Sequence, residues 1–165
     1  MQIMPLAGRR ATLFLASLNA AMSEFDIDTP LRQASFLAQV GHESGQLRYV
    51  RELASGAAYE GRADLGNVIA GDGVRFKGRG LLQVTGRANY AACGVALGLD
   101  LLAAPQLLEA TTFACRSAGW FWQSRGLNGL ADAGDQERVT RRINGGVNGL
   151  AERLALYAAA RKVLA

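Results

Sequence analysis

DTPLRQASFLAQVGHESG, residues 28–45, sets out a helix and places an unexpected charge on it. Thr29 followed by Pro30 is a strong helix start. The threonine serves as N-cap and the proline takes the first turn, where a missing N–H costs nothing. Gly45 marks the stop. Between them Phe36 and Val40 lie on one face, and Glu43 and Leu47 continue that face at helical spacing. A carboxylate on a core-facing stripe is out of place. An apolar surround disfavours its charged form, and the negative end of the helix dipole opposes ionisation too. Both effects keep a proton on the group near neutral pH, as a general acid requires. Glu52 follows nine residues later, beyond Gly45, so the turn can bring it across a cleft from Glu43. Taken alone, the pair equally admits a surface reading, with each carboxylate solvated or paired with Arg48 or Arg51. His42 points elsewhere on the helix and is expected to make structural hydrogen bonds.

Moving outward, Phe14, Leu18, Met22 and Phe25 form a second stripe at helical spacing and predict a first helix over 11–25. Arg9-Arg10 followed by ATLFLASLNAAM mimics the start of a signal peptide, but Ser17, Asn19 and Ser23 interrupt the apolar run. The helix is the preferred reading. It implies a chain made in the cytoplasm without an export signal. Residues 54–80 are rich in glycine and predict loops with a short hairpin, and GLLQV reads as a brief extended piece. Helical patterns return at 89–97, at 105–124 as one long helix opened by Pro105, at DQERVTRRI, and at the alanine-rich tail. Trp120 and Trp122 are expected in the core. The fold class predicted is mainly α, in a single domain over residues 1–165 with a central glycine-rich region.

The 165 residues carry a net charge of +4, with 50% apolar and 19% charged side chains. Such a composition suits a globular domain with a full core. A modest positive charge suits an anionic partner. The basic residues are scattered and do not interleave with aromatics, which argues against nucleic acid. No apolar run is long enough for a membrane span. With one histidine and two isolated cysteines, Cys93 and Cys115, no zinc ligand set is in view, and both thiols are expected free and buried.

RFKGRGLLQVTGRANY (75–90), with GHESG (41–45), YEGRADLGN (59–67) and RRINGGVNG (141–149), resembles glycoside hydrolase family 19. The likeness runs through nearly the whole chain. That family includes chitinases and phage-type endolysins with muramidase activity. The resemblance implies a lysozyme-like fold without metal or organic cofactor, acting as a monomer on a cell-wall glycan. It makes Glu43, in the H-E-[ST] motif, the general acid. It makes Glu52 the base that activates water, with Glu60 in AYEGR as the rival. Thr85 matches a hydroxyl that holds the water, Gln83 and Asn89 match positions that bind sugar, and Tyr90 matches an aromatic lining the cleft. Asn144 matches an asparagine that assists the water, and Arg153 an arginine beside the second carboxylate. The bland alternatives are a cap and a turn residue for Thr85 and Asn89, core for Tyr90, and a buried structural cation for Arg79. Plant-type insertions are absent, which favours peptidoglycan cleavage by an endolysin over chitin cleavage. The protein would reach the cell wall or periplasm only after release.

Overall fold

The computed structural model describes residues 2–164. Helix α1 (Arg9–Glu24) buries Phe14, Leu18 and Met22 as the sequence stripe requires. Helix α2 (Pro30–Glu43) begins where Thr29 and Pro30 dictate, with the Arg32 N–H donating to Thr29 Oγ1 at 3.2 Å. It crosses the centre of the molecule. α8 (Leu150–Leu164) packs along one side of it and α6 (Leu127–Asp132) on another. The α2–α8 approach is close at Gly41, where a Cβ would stand 3.0 Å from Leu156 Cδ1. α1 packs on α5 (Thr111–Ser124), and Gly119 admits the Phe25 ring onto the α5 backbone. Trp122 is fully buried and meets Phe36 edge-on at 5.4 Å between ring centroids. Its indole N–H donates to Asn128 on α6. α7 (Gln136–Asn144), capped by Asp135, completes the helical body. Cys93 and Cys115 are free and buried, and burial pushes both thiols up to about 12.

Two expectations need correction, and one helix lies where none was expected. The run over 105–124 is not one helix. A 3-10 segment (Pro105–Glu109) stops at Ala110, which is extended, before α5 starts. Glu109 at the break pairs with Arg79 at 2.8 Å, so a tertiary ion pair fixes the kink. α6 was not foreseen. Nor is GLLQ extended: residues 80–83 turn tightly so that Arg79 and Val84 exchange backbone hydrogen bonds at 3.1 and 2.7 Å. No longer strand pairing occurs among the described residues.

The glycine-rich excursion between α2 and α4 (Arg87–Leu97) holds two short 3-10 turns and the one-turn α3 (Asp72–Arg75). Side chains pin it in place. Asp72 is 1% exposed and receives the Arg87 guanidinium through both carboxylate oxygens, at 2.8 and 2.6 Å. Asn67 joins the Tyr59 carbonyl to the Arg87 N–H. The hydrogen bonds from Arg87 hold the Asp72 carboxyl below the usual carboxylate range. A lowered folded-state pKa gives stability that is complete above the unfolded value, about 3.9, and that drains as pH falls through the folded one. Asp72→Asn is therefore expected to lower the thermal midpoint at neutral pH. The gap from the parent should close as both are melted at progressively lower pH, below about 4.

Candidate active site

α2 ends at Glu43, and the next residues reverse the chain. Gly45, Gln46 and Leu47 all have positive φ, at 56°, 56° and 67°. Two of them are not glycine, and such residues cost of order 1 kcal/mol or more each unless their surroundings hold them. Here they are held. Buried Ser44 Oγ donates to the Val40 carbonyl at 2.6 Å and accepts from Leu47 N–H at 2.8 Å. The Gln46 side chain accepts from Leu6 N–H at 2.8 Å. The turn sends Leu47 into the core, 3% exposed, and returns residues 49–52 beside the end of α2.

Glu43 does not have the apolar surround expected from its position on α2. Arg153 of α8, 2% exposed, donates through Nη2 to Glu43 Oε1 at 2.5 Å. Its Nη1 donates to the buried Gln39 carbonyl oxygen, one turn back on α2, and its Nε to the Asn148 carbonyl at 3.2 Å. Gln39 in turn donates to Thr140 Oγ1 at 3.4 Å. The arginine is therefore fixed on all sides of its plane. This corrects the expectation that Arg153 serves the second carboxylate: docking of α8 on α2 carries it to the first. Glu43 Oε2 makes no hydrogen bond among the described residues, and Glu43 lines a cleft of about 360 Å³.

Glu52 lines the same cleft. Its backbone N–H donates to the Gly78 carbonyl at 3.0 Å, which ties it to the tight 79–84 turn. Its Oε2 accepts from the Tyr59 hydroxyl at 2.9 Å. Burial, and then this bond to Glu52, push that hydroxyl above its usual range, so it remains a donor. Gln83, with φ 55°, and Thr85 stand over Gly78 from the other side. A Cβ on Gly78 would lie 2.4 Å from Gln83 Oε1, 3.2 Å from Glu52 Oε2 and 3.3 Å from Thr85 Oγ1. Three polar groups thus converge on a residue without a side chain. Glu52 Oε1 and Gln83 Oε1 are buried acceptors with no partner among the described residues. Buried acceptors of this kind call for donors, and sugar hydroxyls, acetamido N–H groups and water all supply them. Gly78→Ala is expected to displace Gln83 and Glu52 and to lower kcat/KM about 10- to 100-fold, measured on soluble glycan, without unfolding the protein.

A second cavity of about 250 Å³ adjoins the first through Gln83 and Thr85. Asn89 and Trp120 line it, and Asn89 Nδ2 donates to the Thr85 carbonyl at 2.7 Å. A larger cavity of about 510 Å³ lies away from both, among Leu15, Leu18, Met22 and Leu37, and no ionisable group lines it. The candidate chemistry is therefore in the smaller cleft.

Residues 20–132 match the family described as chitinase class I, glycosyl hydrolase family 19. The chain belongs to glycoside hydrolase family 19. A glycosyl hydrolase family 19 domain-containing protein of Haemophilus influenzae is 33% identical, with 87% of this chain and 85% of that protein aligned. An endochitinase of Arabidopsis thaliana is 37% identical over 68% of this chain, which spans only 39% of that protein's length. A bacterial family 19 chitinase superposes with a TM-score of 0.75 at 26% identity, covering 90% of this chain and 85% of its own. Chitinase C of Streptomyces griseus gives 0.73 at 27% identity, over 90% of this chain and 68% of that one.

Several residues matched to family-19 roles sit elsewhere. Glu60 is exposed, and its two oxygens accept from Gly71 and Gly73 N–H at 2.6 and 2.8 Å, so it braces the loop before α3. Tyr90 is fully buried and lines neither the Glu43–Glu52 cleft nor the cavity beside it. Its hydroxyl donates to the Lys77 carbonyl at 2.6 Å and accepts from Arg79 at 3.0 Å. Asn144 spends its side chain on its own loop, donating to the Asn148 carbonyl and accepting from Gly146 N–H. His42 bonds Glu152 at 2.7 Å, a structural role as expected. The cleft residues that sequence reasoning missed are Tyr49, Tyr59, Gly78 and Trp120. One signal was available for the last. Trp120 and Trp122 are two apart on a helix and so face different ways, which lets one sit in the core while the other reaches a cleft.

Proposed function

We propose that this family-19 chain hydrolyses the β-1,4 bond between N-acetylmuramic acid and N-acetylglucosamine in peptidoglycan. In this reading it is an endolysin of a phage or prophage of Gram-negative bacteria, made in the cytoplasm and acting on the wall after release. The observation that carries the catalytic part is that Glu43 and Glu52 line one cleft from opposite attachments, the end of α2 and the 79–84 turn.

Glu43, held through Oε1 by Arg153, presents Oε2 to the bond and protonates the leaving oxygen. Glu52, steadied by Tyr59 and beside Thr85, takes a proton from water as that water attacks the anomeric carbon from the other face. Two carboxyl groups with a water between them invert the anomeric centre, which requires a separation of about 6.5–9.5 Å. The Thr85 hydroxyl both donates and accepts, so it can orient that water. The preference for peptidoglycan is supported by the net charge of +4, which suits an anionic wall.

The endochitinase relatives favour a second reading, cleavage of an N-acetylglucosamine polymer. Purified peptidoglycan and chitin oligomers, offered in parallel, separate the two. Release of muropeptides with reducing muramic ends is the expected result. Activity on chitin with none on peptidoglycan would remove the preferred reading, and 1,6-anhydro products would remove hydrolysis.

A further inference from the structure

Arg125 and Arg142 share the cavity that continues the cleft past Gln83 and Thr85. Arg125 ends α5, and its guanidinium carbon lies 3.5 Å from the centre of the Phe121 ring. Burial holds its pKa below the ordinary arginine value. Arg142, on α7, donates to the Arg125 carbonyl at 3.0 Å, so the two side chains belong to one joint between helices. Most arginines that pack against the body have an acid: Arg32, Arg79, Arg87, Arg116 and Arg153 each pair with a carboxylate within 4.0 Å. Partly buried Arg125 has none among the described residues, and neither does Arg142, which is exposed at the edge of the cavity. A partly desolvated guanidinium without a counter-charge is costly, and the cost is recovered when an anion binds. Trp120 and Asn89 on the same wall supply a stacking face and an amide beside the charges.

We propose that Arg125 and Arg142 form a subsite for a carboxylate carried by the glycan. A neutral polymer of N-acetylglucosamine has no group for it. A muramyl unit has one, either on its lactyl ether or, once that is amidated, on the stem peptide. The inference rests on the reading of this cleft as a glycan site and assigns part of its preference to two residues outside the carboxylate pair.

Two soluble polymers with one backbone test it directly: neutral glycol chitin and anionic carboxymethyl chitin. Binding is measured by calorimetry on the Glu43→Gln protein, where turnover is suppressed. Carboxymethyl chitin should bind about tenfold or more tightly at low salt, and the preference should fade as salt rises. Adding Arg125→Gln and Arg142→Gln should bring the ratio of the two affinities near one. Adding Arg125→Lys and Arg142→Lys instead should restore part of it. An unchanged ratio in the double glutamine protein would overturn the proposal, as would equal weakening toward both polymers.

The source of the carboxylate is read from hydrolysis of peptidoglycan with its stem peptides intact and of strands stripped of them. A loss in the double glutamine protein confined to stripped strands identifies the lactyl group, and a loss confined to intact strands identifies the peptide. If the unmodified enzyme cleaves neither form while the carboxymethyl preference holds, the peptidoglycan reading fails and the subsite stands.

Discussion

Glu52→Gln is expected to lower kcat by about 10²–10⁴-fold with little change in thermal midpoint, whereas Glu60→Gln should do the reverse. The geometry of each carboxylate separates the two outcomes. Glutamine at 52 can still accept from Tyr59 through its carbonyl oxygen, and the backbone bond to Gly78 is untouched. What it loses is basicity toward water, a loss felt in the chemical step and not in folding. Glutamine at 60 keeps one acceptor and loses the other. One of the two bonds to Gly71 and Gly73 then fails, and the loop before α3 loosens. Paired measurements of turnover on soluble glycan and of thermal melting decide the matter. Full activity in Glu52→Gln would hand the base to another group.

Arg153→Met should be the most destabilising single exchange at the site. The side chain fits the volume but leaves Gln39, the Asn148 carbonyl and Glu43 without their donor. Leaving a buried acceptor without its donor costs about 1–3 kcal/mol, a large share of the stability of a domain this size. Because Glu43 is still 21% exposed, the lower end of that range is expected, in urea unfolding. Turnover should fall as well, since Oε1 no longer fixes the direction of Oε2. Arg153→Lys retains the charge and one contact, and it should fall between the two. If Arg153→Met kept full turnover, orientation of Glu43 by α8 would have no part in the reaction.

Local chemistry made much of this fold legible. Thr29-Pro30 set the start of α2, and the Phe14–Phe25 stripe set α1, because both depend on residues a few positions apart. The break at Ala110 was hidden because its cause, Glu109 reaching Arg79, spans thirty residues. The site divides the same way. Glu43, Glu52, Gln83 and Thr85 lie within one stretch of chain, and the motifs that mark them fold back on themselves. The partner of Arg153 depends on how α8 docks, which no local pattern encodes. Tyr90 and Asn144 have their side chains engaged elsewhere for a related reason. Both are polar residues next to the cleft in sequence, but their hydrogen bonds are already committed to Lys77 and to the 144–149 loop.

The contact between Glu43 and Arg153 joins positions 110 residues apart. A ribosome that has finished the first 149 residues has made both carboxylates, the turn that presents them and the glycine seat beneath, yet nothing aligns Glu43. Only α8 does that. Without α8 the carboxylate at the end of α2 has a place in the cleft but no partner to fix its direction, so assembly of the candidate site waits on a residue 110 positions downstream.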